Sequence, residues 1–287
     1  MRLQLVVNPS AGGGRAAKVL PRVQAALSEH DLVVTPTRSL DHADELVAEA
    51  AADDRVVVAM GGDGIVGRVA GQVAALGALM AVIPGGRGND FCRAVGIPRD
   101  PVAAATALPG YAEQAIDLGY CEDRAFIGIA SIGFDSDCQE RALRSTLPLG
   151  QLTYLFTALA TVASWKPVAF HCSVDGQPLE LEGWSVAVAN TGMYGGGMRL
   201  APGASVTDGL LDVVTSSTTS RRTFLRSLPK VFKGSHVDEP SVSVTRASTV
   251  TLDAERPFRV FADGDPVGSL PCTVTVKAGA LRVLLPR

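Results

Sequence analysis

The hydrophobic positions of the chain fall into two textures. In the first third, short apolar runs alternate with amphipathic stretches. Leu3 to Val7, Leu32 to Thr35, Val56 to Met60 and Met80 to Ile83 are strand-like. Val19, Leu20, Val23 and Leu27 share one face of a helix from about Arg15 to Glu29. Leu46, Val47 and Ala50 share one face of a second helix, which Asp41 can cap and which runs through Ala52. A further helix leads to Val95. Apolar runs rich in β-branched residues belong to strands covered on both sides, so this rhythm predicts an α/β domain with a parallel sheet wound on both sides.

After about Leu118 the pattern changes to short alternating segments. They are Ala125 to Ile129, Val168 to Val174, Trp184 to Ala189, Leu210 to Val214, Val242 to Val244, Thr249 to Leu252, Phe258 to Ala262, Cys272 to Val276 and Ala280 to Leu285. Asp175-Gly176, Asp208-Gly209 and Asp263-Gly264 mark turns between them. This texture predicts a C-terminal β-sandwich. The expected division is 1–118 and 119–287, with the last strand, Leu281 to Leu285, free to return to the first domain.

Two helices interrupt the second half. Leu149 to Trp165 sets Thr153, Thr157, Thr161 and Ser164 on one face and Leu152, Leu155, Phe156, Leu159 and Val162 elsewhere. Such a helix either packs on the sandwich or lines a groove for an acyl chain. Ser220 to Lys233 has five basic residues, no acid, and an apolar stripe of Phe224, Leu225, Leu228, Val231 and Phe232, with Pro229 expected to kink it. It is either an ordinary solvated helix or a surface that rests on anionic lipid.

The chemistry collects in glycine loops. Three of them follow strands: Asn8-Pro9-Ser10-Ala11-Gly12-Gly13-Gly14, Gly61-Gly62-Asp63-Gly64, and Pro84-Gly85-Gly86-Arg87-Gly88-Asn89-Asp90. In an open parallel sheet all three would meet at the edge where ligands bind. Neither the Walker spacing nor the dinucleotide fingerprint is present. Asp63 is an acid where phosphate would sit, which makes sense either as a helix cap or beside a metal or substrate hydroxyl.

Composition narrows the classes. With 287 residues, 47% of them hydrophobic, the chain can build one large or two smaller cores. Its net charge of −3 argues against a general nucleic-acid binder. The five cysteines are scattered without a C-x-x-C pair, as in a reducing compartment. No apolar run reaches 18 residues, and the N-terminus is interrupted at Asn8-Pro9, too early for a signal peptide. The expected location is cytoplasmic.

With these loops in place, the sequence resembles the soluble diacylglycerol kinase family, relatives of the sphingosine kinases and, more distantly, of NAD kinases. The three loops carry the resemblance together with Ile132-Gly133-Phe134-Asp135, Tyr194-Gly195-Gly196-Gly197-Met198, Ala201-Pro202 with Asp208-Gly209-Leu210-Leu211-Asp212, and Asp263-Gly264-Asp265. Phe232 to Val237 makes it most similar to actinobacterial-type members. The resemblance implies transfer of phosphate from ATP to a lipid hydroxyl in a cleft between the domains, on diacylglycerol or on another hydroxylated lipid such as a sphingoid base, a monoacylglycerol or a polyprenol. The partners it implies are the lipid and an anionic membrane surface, met peripherally on the inner face, and it leaves a homodimer open. By resemblance, Asn8, Pro9, Ser10, Ala11, Gly12, Thr37, Gly61, Gly62, Gly64, Gly67 and Arg87 hold ATP. Asp208, with the backbone carbonyls of Ser205 and Leu210, forms a structural Mg²⁺ site of the all-oxygen kind that suits this ion. Asp265 is implied as proton acceptor, Asp263 as its partner or a metal contact, and Asp63 as the organiser of Mg²⁺ and phosphate or as the competing base.

The chain departs from the family after Gly64. Where Thr-x-Asn-Glu is usual it has Ile65-Val66-Gly67-Arg68, and Arg87 stands where Thr is common. Either Arg68 or Arg87 replaces the lost neutral donors with a charge-assisted phosphate contact, or nucleotide binding is weakened and the protein is a catalytically silent lipid binder.

Overall fold

The computed structural model describes residues 1–144 and 159–287. Strand β1 (Arg2–Val7) leads to helix α1 (Ala11–Ala26), β2 (Asp31–Pro36) to α2 (Leu40–Ala52), β3 (Val56–Gly61) to α3 (Asp63–Leu76), and β4 (Leu79–Pro84) to α4 (Asp90–Ala94) and α5 (Pro101–Ala107). The four strands are parallel in the order β2-β1-β3-β4. Period-two alternation divides their side chains between two cores. Leu5 and Val7 pack with Ala16 and Val23 of α1 and Ala105 of α5, whereas Val6 packs with Leu46 and Val47 of α2 and Val69 of α3. The sheet is wound on both sides, as the sequence predicts.

The second layer contains β5 (Ala112–Cys121), β6 (Arg124–Phe126), β7 (Ile129–Gly133), α6 (Phe134–Arg144), β8 (Val168–Val174), β9 (Gln177–Ala189), β10 (Leu211–Ser217), α7 (Arg221–Lys233), β11 (Val242–Ala247), β12 (Thr249–Leu252), β13 (Arg259–Ala262), β14 (Asp265–Ser269) and β15 (Cys272–Leu285). It is a largely antiparallel β-sandwich around Phe126, Phe170, Trp184, Val188, Val260 and Val274. The two expected segments Cys272 to Val276 and Ala280 to Leu285 are one long strand with a register shift between Lys277 and Leu281. Its first part pairs with β12, while Arg282 and Val283 lie parallel beside Leu79 and Met80 of β4. Residue 118 falls inside β5, which pairs with β15 along both parts.

Several local expectations are corrected. Ser39, not Asp41, caps α2, its Oγ accepting from His42 N at 3.1 Å. The regular part of α1 does begin at Arg15, because Gly12, Gly13 and Gly14 all have positive φ, but it ends at Ala26 rather than Glu29. The strand expected from Ala125 to Ile129 is broken, because Ile127 N and Gly128 N bond to a side chain instead of a neighbouring strand. Of the helix expected over 149–165, residues 149–158 lie outside the described residues. Residues 159–164 are helical, and Thr161 there is buried rather than outward. α7 runs unbroken through Pro229. Pro229 leaves the carbonyl of Leu225 without its usual helical partner, and Leu225 is 37% exposed, so water can reach this turn.

Candidate active site

The three glycine loops meet at the C-terminal edge of the parallel sheet. Asn8 N donates to Met60 O at 2.9 Å, and Gly85 N and Gly86 N both donate to Gly61 O at 2.7 and 2.9 Å. Asn8 Oδ1 accepts from Ser10 N, so this side chain shapes its own loop. Thr37 is tied to the same edge by its N–H on Val7 O at 2.7 Å. The approach of backbone to backbone is close enough to require glycine. A Cβ on Gly12 would lie 2.8 Å from Gly85 O. One on Gly14 would meet nothing within 4 Å, so the loop is open on its outer side. Arg87 is exposed above it, with Nη2 3.2 Å from where a Gly13 Cβ would be.

Asp63 opens α3, and its Oδ1 accepts from Asp90 N at 2.6 Å and Phe91 N at 3.3 Å. It therefore caps the neighbouring short helix α4. The β13–β14 turn brings two more carboxylates to the same helix end. A Cβ on Gly64 would stand 2.8 Å from Asp265 Oδ2, and one on Gly67 would stand 2.6 Å from Asp263 Oδ2. Both carboxylates thus lie against the first two turns of α3. Asp263 is held in the left-handed region at φ 52°, its Oδ2 accepting from Ile127 N at 2.8 Å and its Oδ1 from Gly128 N at 2.9 Å.

A fourth carboxylate completes the group. Asp90 Oδ2 accepts from Gly196 N at 2.7 Å, while its buried Oδ1 has no hydrogen-bond partner among the described residues and stands 4.0 Å from Arg93 Nε. Burial pushes Asp90 up to about 6, opposed by the Gly196 bond and reinforced by the Asp63 charge. Burial pushes Asp263 up to about 7, opposed by Ile127 N and reinforced again by Asp63. Asp63 and Asp265 are raised by the same desolvation, Asp265 being partly restrained by Arg124. Among the described residues no three His, Cys, Asp or Glu side chains are arranged to hold a metal ion unaided. The site concentrates four carboxyl groups in a desolvated place, which raises their affinity for protons.

Asp90 was missed as a site residue in the sequence, although it lies in the third glycine loop. The signal was an acid directly at the start of a short helix, which resembles any N-terminal acid. Arg68 is corrected in the opposite direction. It forks onto Asp44 of α2, Nε to both carboxylate oxygens at 3.0 and 3.1 Å with Nη2 adding a third bond, and faces Asp41 at 3.7 Å. It is committed to the α2–α3 contact and does not reach the loops as a phosphate contact. Arg87 carries no hydrogen bond or ion pair among the described residues and keeps that role open.

A cavity of about 120 Å³ lies in the second layer between α6, α7 and the β9–β10 face, lined by Phe134, Cys138, Ala187, Met198, Leu200, Val214, Phe224, Leu228 and Val231. Its polar lining includes Asp135, Gln139, Ser185, Tyr194, Ser227 and His236. Burial raises Asp135 to about 6, against hydrogen bonds from Tyr194 and Ser185. The loop from Tyr194 to Met198 connects this cavity to the carboxylates. Its two end residues line the cavity, and Gly196 at its tip donates to Asp90. A larger, more open pocket of about 380 Å³ is lined by Ala94, Thr191, Gln114, Arg199, Ser205 and Pro286.

The Asp208 turn is beside that pocket. Asp208 Oδ1 accepts from Leu210 N at 3.1 Å and Oδ2 is 3.9 Å from Arg246, while the Ser205 hydroxyl pairs with Thr207. Asp117 fastens the turn, accepting from Gly209 N at 2.7 Å and Gly279 N at 2.8 Å.

The chain is similar to known proteins along its whole length. Residues 2–121 match the family model described as the diacylglycerol kinase catalytic domain, and residues 128–285 match the YegS C-terminal NAD kinase beta sandwich-like domain. The chain belongs to the diacylglycerol kinase family. It is 34% identical to a diacylglycerol kinase of Mycobacterium tuberculosis (strain ATCC 25618 / H37Rv) over 296 residues, covering 100% of this chain and 96% of the relative. Identity to a diacylglycerol kinase of Bacillus subtilis (strain 168) is 28% over 301 residues, covering 100% and 97%. A YegS-like lipid kinase of Pseudomonas aeruginosa (strain UCBPP-PA14) is 31% identical over 290 residues, covering 99% and 94%. A crystal structure of a diacylglycerol kinase from Bacillus anthracis str. Sterne superposes with a TM-score of 0.79 at 26% identity, covering 99% of this chain and 97% of the other. The protein is thus a lipid kinase, and among the described residues no helix is long and apolar enough to cross a membrane.

Proposed function

We propose that this lipid kinase transfers the terminal phosphate of ATP to the free hydroxyl of diacylglycerol, giving phosphatidic acid and ADP. The observation that carries the reading is the Tyr194–Met198 loop, which touches an apolar cavity with its ends and the carboxylate group with its tip. A lipid tail in the cavity would leave its polar end beside Asp265 and Asp63. The division at about residue 118 into a nucleotide half and a lipid half belongs to the same proposal, as does a cytoplasmic, peripheral location.

The residues fit a nucleotide and a divalent ion. The loop at Gly12–Gly14 is open on its outer side, although Gly13 N and Gly14 N are turned back on Ser10 O, and the N-terminus of α3 supplies a positive dipole end. Asn8, Pro9, Ser10, Ala11, Gly12, Thr37, Gly61, Gly62 and Gly64 would line the nucleotide, with Arg87 on its phosphates. Bound Mg²⁺ supplies neutralisation of the charge between phosphate oxygens and carboxylates. Asp63 and Asp90, adjacent across Gly88, are the groups to hold it. Asp208 with the Ser205 and Leu210 carbonyls would hold a second, structural ion, since the donors are all oxygens.

Asp265 is the proposed base. In the step, the lipid hydroxyl oxygen forms a bond to the terminal phosphorus as the bond to the ADP oxygen breaks, and the hydroxyl proton passes to Asp265. Desolvation raises the affinity of this carboxylate for a proton, which suits the task. Asp263 spends both oxygens on Ile127 N and Gly128 N, so it positions the turn that carries Asp265. Gly67 serves that packing in place of a nucleotide contact. The test is phosphate transfer from labelled ATP to a panel of diacylglycerol, monoacylglycerol, sphingoid base and polyprenol. Diacylglycerol is expected to be the preferred acceptor, and Asp265→Asn to lower kcat at least about a hundredfold. Transfer that survives Asp265→Asn but not Asp63→Asn would reassign the base to Asp63.

A further inference from the structure

α7 has two faces with different chemistry. The inner face carries Phe224, Ser227, Leu228 and Val231, which line the cavity. Phe224 lies flat on Trp184 with ring centroids 3.8 Å apart and meets Phe134 edge-on at 4.9 Å, which fixes the rotation of the helix. The outer face therefore has no freedom to hide its side chains. Leu225 and Phe232, seven residues apart and so nearly in line, are 37% and 56% exposed. Exposed Arg222, Arg226 and Lys233 lie about 60–120° to one side of that line and make no ion pair among the described residues. The other two cations are used differently: Arg221 donates to Trp165 O at 2.9 Å, and Lys230 pairs with Glu239. The helix itself contains no acid.

We propose that the outer face of α7 is the surface by which the protein docks on an anionic bilayer. Leu225 and Phe232 enter the acyl boundary, and Arg222, Arg226 and Lys233 sit among the headgroup phosphates. The occupant follows from charge complementarity: unpaired cations run along one side of two large apolar side chains on one 13-residue helix of a chain whose net charge is −3. A polyanion such as nucleic acid would use the cations and leave Phe232 in water. The position of the cavity gives the surface a purpose. A lipid leaving the bilayer beside α7 passes from its outer face to its inner face without crossing the molecule. This last point rests on the proposed lipid-kinase reading, while docking itself does not.

The experiment is sedimentation with phosphatidylcholine vesicles containing 30% phosphatidylserine, without diacylglycerol or nucleotide, so that it reads docking independently of catalysis. Wild-type protein is expected to partition onto these vesicles, to leave them at high salt, and to bind pure phosphatidylcholine much less. Arg222→Glu/Arg226→Glu/Lys233→Glu is expected to lower the partition coefficient at least about thirtyfold. Leu225→Ser/Phe232→Ser should lower it about tenfold. Melting temperatures and turnover of a soluble short-chain diacylglycerol should match wild type in both variants. Wild-type partitioning by both variants overturns the proposal, as does equal wild-type binding to neutral vesicles. Failure of wild-type protein to phosphorylate any lipid would instead count against the substrate reading, with the vesicle comparison still deciding the docking face.

Discussion

Gly67→Ala separates a helical glycine kept for local reasons from one kept for a partner. Gly67 is in the second turn of α3, where alanine should stabilise by about 1 kcal/mol on helix propensity alone. The added Cβ, however, would stand 2.6 Å from Asp263 Oδ2, 3.4 Å from its Cγ and 3.5 Å from its Cβ. The aspartate cannot step aside freely, because its two oxygens hold Ile127 N and Gly128 N at 2.8 and 2.9 Å. Hydrogen bonds to a charged acceptor contribute about 1.5–3 kcal/mol each, and with Asp263 titrating near 7 the lower figure applies at neutral pH. Losing both would cost about 3 kcal/mol; less the propensity gain, about 2 kcal/mol remains. For a protein of this size that lowers the melting temperature by about 4–8 °C. Differential scanning calorimetry at pH 7.5 reads the shift. In an Asp263→Ala background the same substitution should turn neutral or stabilising, with a coupling of about 2–3 kcal/mol. A rise in melting temperature for Gly67→Ala in the wild-type background would refute the contact.

Three further outcomes follow from the same geometry. Arg68→Ala should lower stability by about 1–3 kcal/mol, since it strips partners from the half-buried Asp44, yet change KM for ATP less than about twofold in steady-state kinetics. Arg87→Ala should do the reverse, raising KM for ATP about tenfold or more with an unchanged melting temperature. Asp90 holds a proton in the folded protein up to about pH 6 that the unfolded chain releases near 3.8, so its contribution to stability falls as pH rises through that window. Asp90→Asn should flatten this part of the melting profile between pH 4.5 and 7.5, gaining on wild type by up to about 2–3 kcal/mol above pH 6.

The parallel half was legible because its signals are local. A β-branched run followed by glycine identifies a strand and its turn without knowledge of the rest of the chain, and so the edge where three loops meet could be placed in advance. The long strand β15 was not legible, because its register shift at Lys277–Leu281 gives the sequence the look of two strands. The break at Ile127–Gly128 was hidden for a different reason. The carboxylate that takes these two N–H groups, Asp263, is 135 positions away from Gly128, and no window along the chain contains both. Asp90 was obscured in the same way, since its unpartnered oxygen is a property of the assembled site.

The residues that depart from the family pattern bear on whether the cradle is intact. Ile65 is 4% exposed in the first core and lies where a Gly61 side chain would be, so it fills space that Gly61 vacates. Gly67 yields its volume to Asp263, and Arg68 is held by Asp44. None of the three points into the open side of the Gly12–Gly14 loop. The departures therefore serve contacts between α3 and its neighbours, and they take up neither the N-terminus of α3 nor Arg87. A silent binder would be expected to lose the costly features first, yet the chain keeps a crowded group of four carboxylates, two of them raised to about 6 and about 7. Clustered carboxyl groups with raised proton affinity mark a candidate functional site, in keeping with the lipid kinase family to which the chain belongs.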